Sequence, residues 1–369
     1  MIPFRARRTV LNLADAPADA SLISRHHQPP GNAMTDLVTS TRPSRRAVLA
    51  GTAATVFIGT RARAADIRWR LGLSQPVDSP NFIRLKEMTD RVRAETNGRL
   101  DISMHGGGVL GSDTKMLGML QSGEIEMYNA GNVLGPIVPV TEMPGLPFTF
   151  KSPAEVFKAL DGDLGDYIRA ELLAKGIYAF RWGGDNGFHH LTTSTKPIRT
   201  VEDLAGMTMR TPVQEMTVDF FAALGAVPKK FPLSQLYQVL KDKVCDAQTD
   251  PLFLIVLMKL YEVQTYLSLT NHWWSGFTFT ANAAAWKSLP DDLKAVVERN
   301  VRISALAQRE DVARATAAAI GILESKGMVV NQCDVSGFKK PLGAFYTKWK
   351  GIYGAKAWAL LEAHVGKLV

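Results

Sequence analysis

Cysteine is nearly absent: Cys245 and Cys333 are the only two among 369 residues. Two thiols cannot build a disulfide framework, and their separation does not suit metal ligation, so a disulfide-stapled fold and a thiolate metal centre are both excluded. Two buried thiols are expected, with a single bridge as the alternative. Long hydrophobic runs are absent too. Val48–Ile58 and Pro251–Met258 both fall short of the about 20 apolar residues a membrane-spanning helix requires. Also missing are H-E-x-x-H, G-x-S-x-G and paired-cysteine motifs, and the histidines beyond residue 64 show no metal-ligand spacing. His189 and His190 are adjacent, so on a strand they point to opposite faces and do not share one metal. By absence, the sequence argues against an enzyme: no catalytic residue, metal or cofactor is expected.

A basic surface for nucleic acid is lacking as well, despite a net charge of +8. Residues 1–64 hold nine arginines against Asp15, Asp19 and Asp36, which leaves 34 basic and 32 acidic residues in the remainder. Without a basic stripe to neutralise phosphates, no nucleic-acid partner is expected.

What is present begins with an address. Ser44-Arg45-Arg46-Ala47-Val48-Leu49 resembles a twin-arginine export motif. The short apolar run follows, then Ala62-Arg63-Ala64 as a small-residue cleavage site. Residues 1–64 are therefore read as an N-terminal extension plus signal peptide, cleaved near Ala64, with Met34 as an alternative start. The mature chain is expected in the periplasm.

Beyond the signal, Ile67, Trp69, Leu71 and Leu73 alternate as in a strand. Phe82, Leu85, Met88 and Val92 share one helical face that ends at Asn97-Gly98. Leu100, Ile102 and Met104 alternate again, Ser112 or Asp113 caps the next helix, and Ile125–Met127 begins another strand. This β-α-β-α-β order predicts a mostly parallel sheet covered by helices, an α/β protein of two domains. From Pro290 to Gly327 an Ala-rich, nearly Gly-free stretch predicts one long helix bracing both domains.

Gly106-Gly107-Gly108-Val109-Leu110-Gly111 satisfies G-x-G-x-x-G between a strand and a helix, the context of a dinucleotide site. No acidic residue ends the next strand to take a ribose hydroxyl. The competing readings are a tight turn near an inter-domain cleft and an exported oxidoreductase holding a dinucleotide at Gly106–Gly111.

From Gly107-Gly108-Val109-Leu110-Gly111-Ser112 the chain runs through Leu146-Pro147-Phe148 and Glu202-Asp203-Leu204-Ala205-Gly206 to Met209-Arg210-Thr211-Pro212. Leu224-Gly225-Ala226, Leu236-Tyr237, Cys245–Pro251, Asn271-His272-Trp273-Trp274 and Asn282…Trp286 follow in order. This series resembles the dicarboxylate-binding-protein-like substrate-binding proteins of tripartite ATP-independent periplasmic (TRAP) transporters over nearly all of residues 65–369. The resemblance implies a periplasmic-binding-protein-like fold of two α/β domains with hinge strands, here residues 65–188 plus 277–305 and 189–276 plus 306–369. It implies a small organic-anion ligand captured by hinge closure and permease subunits driven by an ion gradient as partners; a monomer is the separate expectation for the chain. A sensor-kinase partner is the alternative that the same fold allows.

The resemblance also places Arg210 as the two-pronged partner of a ligand carboxylate. A planar guanidinium matches a carboxylate bidentately, and a strand end is where open α/β sheets bind ligands. Two departures follow. His189 stands where close relatives of this family carry a second arginine, and Gln248-Thr249-Asp250-Pro251 stands where they carry Gln-Glu-Asn-Pro. With Asp250 in the pocket, a second ligand carboxylate is repelled, and a monoanion offering a hydroxyl or amine is expected instead. Trp274, preferred over Trp273, supplies an aromatic wall; Gln248, Asn129 and Phe188 complete the candidate binding residues.

Overall fold

A computed structural model describes residues 66–368. The expected signal within residues 1–64, its cleavage site at Ala64 and the alternative start at Met34 lie outside the described residues. Among the described residues no helix is long and apolar enough to cross a membrane.

The first lobe begins with β1 (Ile67–Gly72), α1 (Pro80–Glu95), β2 (Leu100–His105), α2 (Asp113–Ser122) and β3 (Met127–Ala130). Its punctuation is local. Ser79 accepts a hydrogen bond from the Phe82 N–H and Pro80 fills the first turn of α1, where a missing N–H costs nothing. The chain leaves α1 through Asn97 and Gly98, both at positive φ. Ser112 caps α2, and Gly123 ends it in the left-handed region at φ 76°. Trp69 and Leu71 of β1 face Leu85, Met88 and Val92 of α1 in one core.

After α3 (Pro153–Leu160), α4 (Asp163–Ala174) and β4 (Ile177–Ala179), the long strand β5 (Gly184–Thr193) carries the chain into a second lobe. There β6 (Thr208–Thr211), α5 (Glu215–Ala223), β7 (Val227–Lys230), α6 (Leu236–Lys241) and β8 (Ala247–Pro251) repeat the wiring of the first five elements. In each lobe the first strand is central, the second outer and the third inner, all parallel. The order is β2-β1-β3 in one lobe and β7-β6-β8 in the other.

The chain continues through α7 (Leu252–Leu257), β9 (Tyr266–Leu269), β10 (Trp274–Asn282) and α8 (Ala283–Ser288). The remainder is α9 (Asp291–Ser325), β11 (Val329–Gln332), α10 (Ser336–Lys339), α11 (Leu342–Tyr353) and α12 (Ala355–Val365). Among the described residues, the eleven strands join one sheet, whose main path is β2-β1-β3-β10-β5-β8-β6-β7. It is mixed, which corrects the mostly parallel expectation. β10 runs antiparallel to β3, β4 and β5, and β5 antiparallel to β8 and β9. Side-chain periodicity reports which face is buried and is silent on strand direction. β5 and β10 carry the chain out of one lobe and back, so each opposes the strands it joins. Where they pair, the register slips between Ser275 and Gly276, a local bulge at the crossover.

Helix α9 forms as expected and spans 35 residues. Leu293, Val297 and Val301 pack with Leu85 and Met88 in the first lobe, whereas Ala319 and Leu323 pack with Leu236, Leu252 and Leu267 in the second. Midway, the fully buried Gln308 bonds β5 like an added strand: its Oε1 accepts from the Asp185 N–H at 2.8 Å and its Nε2 donates to the Asp185 carbonyl at 2.7 Å. At the C-terminus α11 packs on α5 and α12 on α3 and α4, a clasp over both lobes. Cys245 is buried, Cys333 half-buried, and both are free thiols.

Candidate binding cleft

Because the parallel strands of each lobe share a direction, their carboxyl ends gather on one edge, and the two edges face each other across a cleft of about 660 Å³. Gln75, Asp113 and Asn132 come from the first lobe, Arg210, Pro232 and Asp250 from the second, and Asn186 and Phe277 from the crossover strands.

Arg210 is the penultimate residue of β6 and is only 2% exposed. Its Nε and Nη2 donate to the Phe231 carbonyl at 3.1 and 2.9 Å, which fixes the plane of the guanidinium. The remaining edge points toward Asp250, with Nη1 3.5 Å from Oδ2. That contact is loose for an ion pair. Burial pushes the Asp250 carboxyl up to about 7, and Arg210 pulls it back only in part. Burial lowers the Arg210 guanidinium as well, Asp250 opposing it. Both partners thus lose more from desolvation than they recover from each other, and a closer anion at Arg210 is accommodated readily. Helix α7 starts beyond Asp250, after Pro251, with no side-chain cap, so the Asp250 carboxyl is not taken up by the helix.

Two further groups in the cleft are unspent. Gln75 Oε1 and Asn186 Oδ1 are buried without a hydrogen-bond partner among the described residues. Both are acceptors and call for donors in whatever fills the cleft.

The other expected residues fall behind or beside this surface. His189 does not line the cleft. It is buried beneath Trp273, ring centroids 3.8 Å apart, with Nδ1 3.1 Å from Thr249 Oγ1 and Nε2 2.7 Å from Ser275 Oγ. Burial drives its pKa well below the usual imidazole range, helped by His272, so the ring is neutral and no cation replaces the arginine of the family pattern. Its role is positional: the same Ser275 hydroxyl accepts from Asn186 Nδ2 at 2.9 Å and aims Asn186 into the cleft. Trp273 is core, donating to Thr249 Oγ1 at 3.2 Å. Gln248 lies one pleat deeper than Asp250, fully buried, its Nε2 donating to Thr192 Oγ1 at 2.8 Å. Asn129 is buried in β3 with both amide atoms unpartnered among the described residues. Phe188 packs on the core.

Trp274 lines a second space of about 800 Å³ that shares Gly131, Asn132, Gly276 and Phe277 with the cleft. Its Nε1 donates to Asp185 Oδ1 at 2.8 Å, and its ring covers Gly276, where a Cβ would sit 2.1 Å from it. Sequence reasoning missed Gln75, Asn186, Gln214 and Glu142, the last two lining this chamber. Gln75 lies three residues beyond the end of β1, in the loop at the strand's carboxyl end, so the strand-end rule that selected Arg210 also points to it.

The glycine loop is a turn. Gly107 and Gly108 lie at positive φ, and their N–H groups donate to the Gln75 and Leu73 carbonyls at 2.8 and 3.1 Å. Those donors are therefore spent within the fold, which removes the physical basis of a pyrophosphate cradle there.

Residues 71–351 match the family described as bacterial extracellular solute-binding protein, family 7. The 2,3-diketo-L-gulonate-binding periplasmic protein of Escherichia coli is 30% identical over 297 residues, covering 80% of this chain and 89% of that protein. An uncharacterized protein of Sinorhizobium fredii is 34% identical over 68% of this chain, which spans only 46% of that relative's length. Among solved structures, a TRAP periplasmic solute-binding protein from Polaromonas with bound D-erythronate is 28% identical, with a TM-score of 0.77 over 80% of this chain and 98% of its own. Another from Roseobacter denitrificans with bound β-D-glucuronate is 27% identical, with a TM-score of 0.78 over 82% and 100%.

Proposed function

The chain belongs to the bacterial extracellular solute-binding proteins of family 7, and from that premise we propose that its cleft captures a hydroxylated monocarboxylate, a sugar acid foremost, anchored at Arg210. The protein is the periplasmic carboxylate-binding component of a TRAP transporter, and its partners are the membrane subunits of that transporter. The observation that carries the ligand reading is the pairing of one buried guanidinium with three acceptors: Asp250, Gln75 Oε1 and Asn186 Oδ1. A carboxylate satisfies the first, and hydroxyl donors satisfy the rest. A rigid dicarboxylate would set its second charge against Asp250. The ligands of the Polaromonas and Roseobacter proteins, an aldonate and a uronate, fit this demand.

Capture proceeds by closure of the two lobes, residues 65–188 with 277–305 and residues 189–276 with 306–369, about β5 and β10. The closed form is selected because it alone brings Gln75 and Arg210 onto one ligand. Binding near micromolar, about −8 kcal/mol, suits a carrier that must also release. Export through the twin-arginine motif with cleavage after Ala64 completes the reading, and a mature N-terminus at Ala65, read by mass spectrometry, checks it.

Thermal unfolding against aldonic, uronic, keto-aldonic and plain dicarboxylic acids tests the ligand class. A ligand at a thousand times its dissociation constant adds about 4 kcal/mol of stability. Hydroxy monoacids are expected to raise the melting temperature by several degrees, and succinate to do so only after Asp250→Asn. Tight succinate binding in the wild type that is indifferent to Asp250→Asn sinks the proposal.

A further inference from the structure

The chamber behind the cleft has an electrostatic character of its own. Toward solvent it is edged by Arg169, Arg181 and Arg309, and these are already engaged. Arg309 grips both oxygens of Asp161 at 2.6 and 2.8 Å and stacks on Phe157. Arg181 donates to the Asp161 carbonyl, and Arg169 to Asp166 and the Leu160 carbonyl.

Elsewhere on its wall the situation is reversed, at residues of which Glu142 also borders a separate pocket with Pro139, Asp219 and Lys348. Glu142 is 6% exposed and Gln214 3% exposed. Glu142 Oε2 and Gln214 Oε1 lack a hydrogen-bond partner among the described residues. Burial pushes the Glu142 carboxyl up to about 7, the Met216 backbone and Gln214 amide pull it down, and Glu215 and Asp219 push it further up; no cation figures among the causes. Glu142 also lies so close to Gly135 that a Cβ there would be 1.8 Å from its Oε1. In this position the carboxyl occupies the space that a side chain at 135 would fill.

We propose that this chamber is an extension of the ligand site, receiving the hydroxyl- or ammonium-bearing far end of an elongated acid whose carboxylate is held at Arg210. Gly131, Asn132, Gly276 and Phe277 line both spaces, and the proposed extension crosses at this shared wall. Trp274 and Phe277 flank it with aromatic faces, while Glu142 and Gln214 accept the terminal donors. The proposal rests on the carboxylate reading of Arg210 and extends it to ligand length and terminal chemistry.

Isothermal titration of the purified protein tests it with two probe series: aldonic acids from four-carbon D-erythronate to seven and eight carbons, and ω-amino acids from 4-aminobutyrate to 8-aminooctanoate. The longer members of at least one series are expected to bind about tenfold or more tighter than its shortest, a gain of the size of one or two buried hydrogen bonds. Glu142→Leu should erase that gain while leaving D-erythronate unchanged. Glu142→Gln, which keeps the shape and the folded state, should erase it for the amino series and spare the hydroxy series, which tells the two end groups apart. Equal affinity at every length in the wild type, or equal loss at every length in both variants, overturns the chamber. No binding by any acid overturns the Arg210 reading itself and the chamber with it.

Discussion

Under the proposal, Arg210 holds the anion and Asp250 discriminates among the acids that carry it. Phe231 orients the guanidinium through two hydrogen bonds, so the cation is aimed before any ligand arrives, and Asp250 keeps a loose hold on its free edge. Asp250 also sets a pH dependence. Its carboxyl titrates at about 7 in the folded protein and near 4 in an unfolded chain. Between those values the folded state holds a proton that the unfolded state has released, so this group's contribution to stability falls as pH rises through the window and is lowest above 7. The melting temperature of Asp250→Asn, measured against wild type, is expected to gain on it from pH 5 to pH 8; a constant or shrinking difference contradicts the assignment. Arg210 and Asp250 were legible in the sequence because strand-end chemistry and a family motif coincide on them. His189 was legible as a special position but not in its role. Whether a strand residue reaches a cleft or a hydroxyl one layer beneath it depends on packing partners some 60 to 86 positions away. Glu142 and Gln214 carried no local signal at all, since what marks them is the lack of a partner in three dimensions.

The elements were more legible than their arrangement. Caps at Ser79 and Ser112, the exit at Asn97-Gly98 and the length of α9 all follow from short-range chemistry. The antiparallel course of β5 and β10 does not, because no residue pattern encodes strand direction. The join between α9 and β5 is a specific dependency at this scale. Gln308 supplies both hydrogen bonds to the Asp185 peptide groups, fully buried. Gln308→Leu keeps the volume and abandons one donor and one acceptor, which should cost about 2–5 kcal/mol in urea unfolding. A loss under about 0.5 kcal/mol, within the range of an ordinary surface change, would mean that this bond does not tie the helix to the crossover. Asp185 also receives the Trp274 indole, so the same variant should weaken ligand binding more than a distant core substitution of equal cost.

For the whole molecule, two copies of one β-α-β-α-β plan meet edge to edge, with a long helix and a terminal clasp holding elements of both. The repeated plan does not stand out in the sequence, since the residues lining the cleft differ between lobes and the cores ask only for apolar volume. The composition separates a basic N-terminal segment from a near-neutral remainder, and that separation is what prompts the export proposal. If capture is closure, small-angle scattering should record a smaller radius of gyration on adding a saturating sugar acid, and an unchanged radius would mean that the cleft fills without moving the lobes.

The central claim is that the ligand is chosen by its carboxylate at Arg210. Calorimetric titration with matched pairs, gluconate against glucitol and glucuronate against glucose, tests it most directly. At least one acid should bind near micromolar and about a hundredfold or more tighter than its neutral twin, a difference of about 3 kcal/mol that a charge-assisted bidentate contact supplies, and Arg210→Lys should remove most of that difference. Acid and neutral twin binding alike, or an acid preference that survives Arg210→Lys intact, would contradict the account.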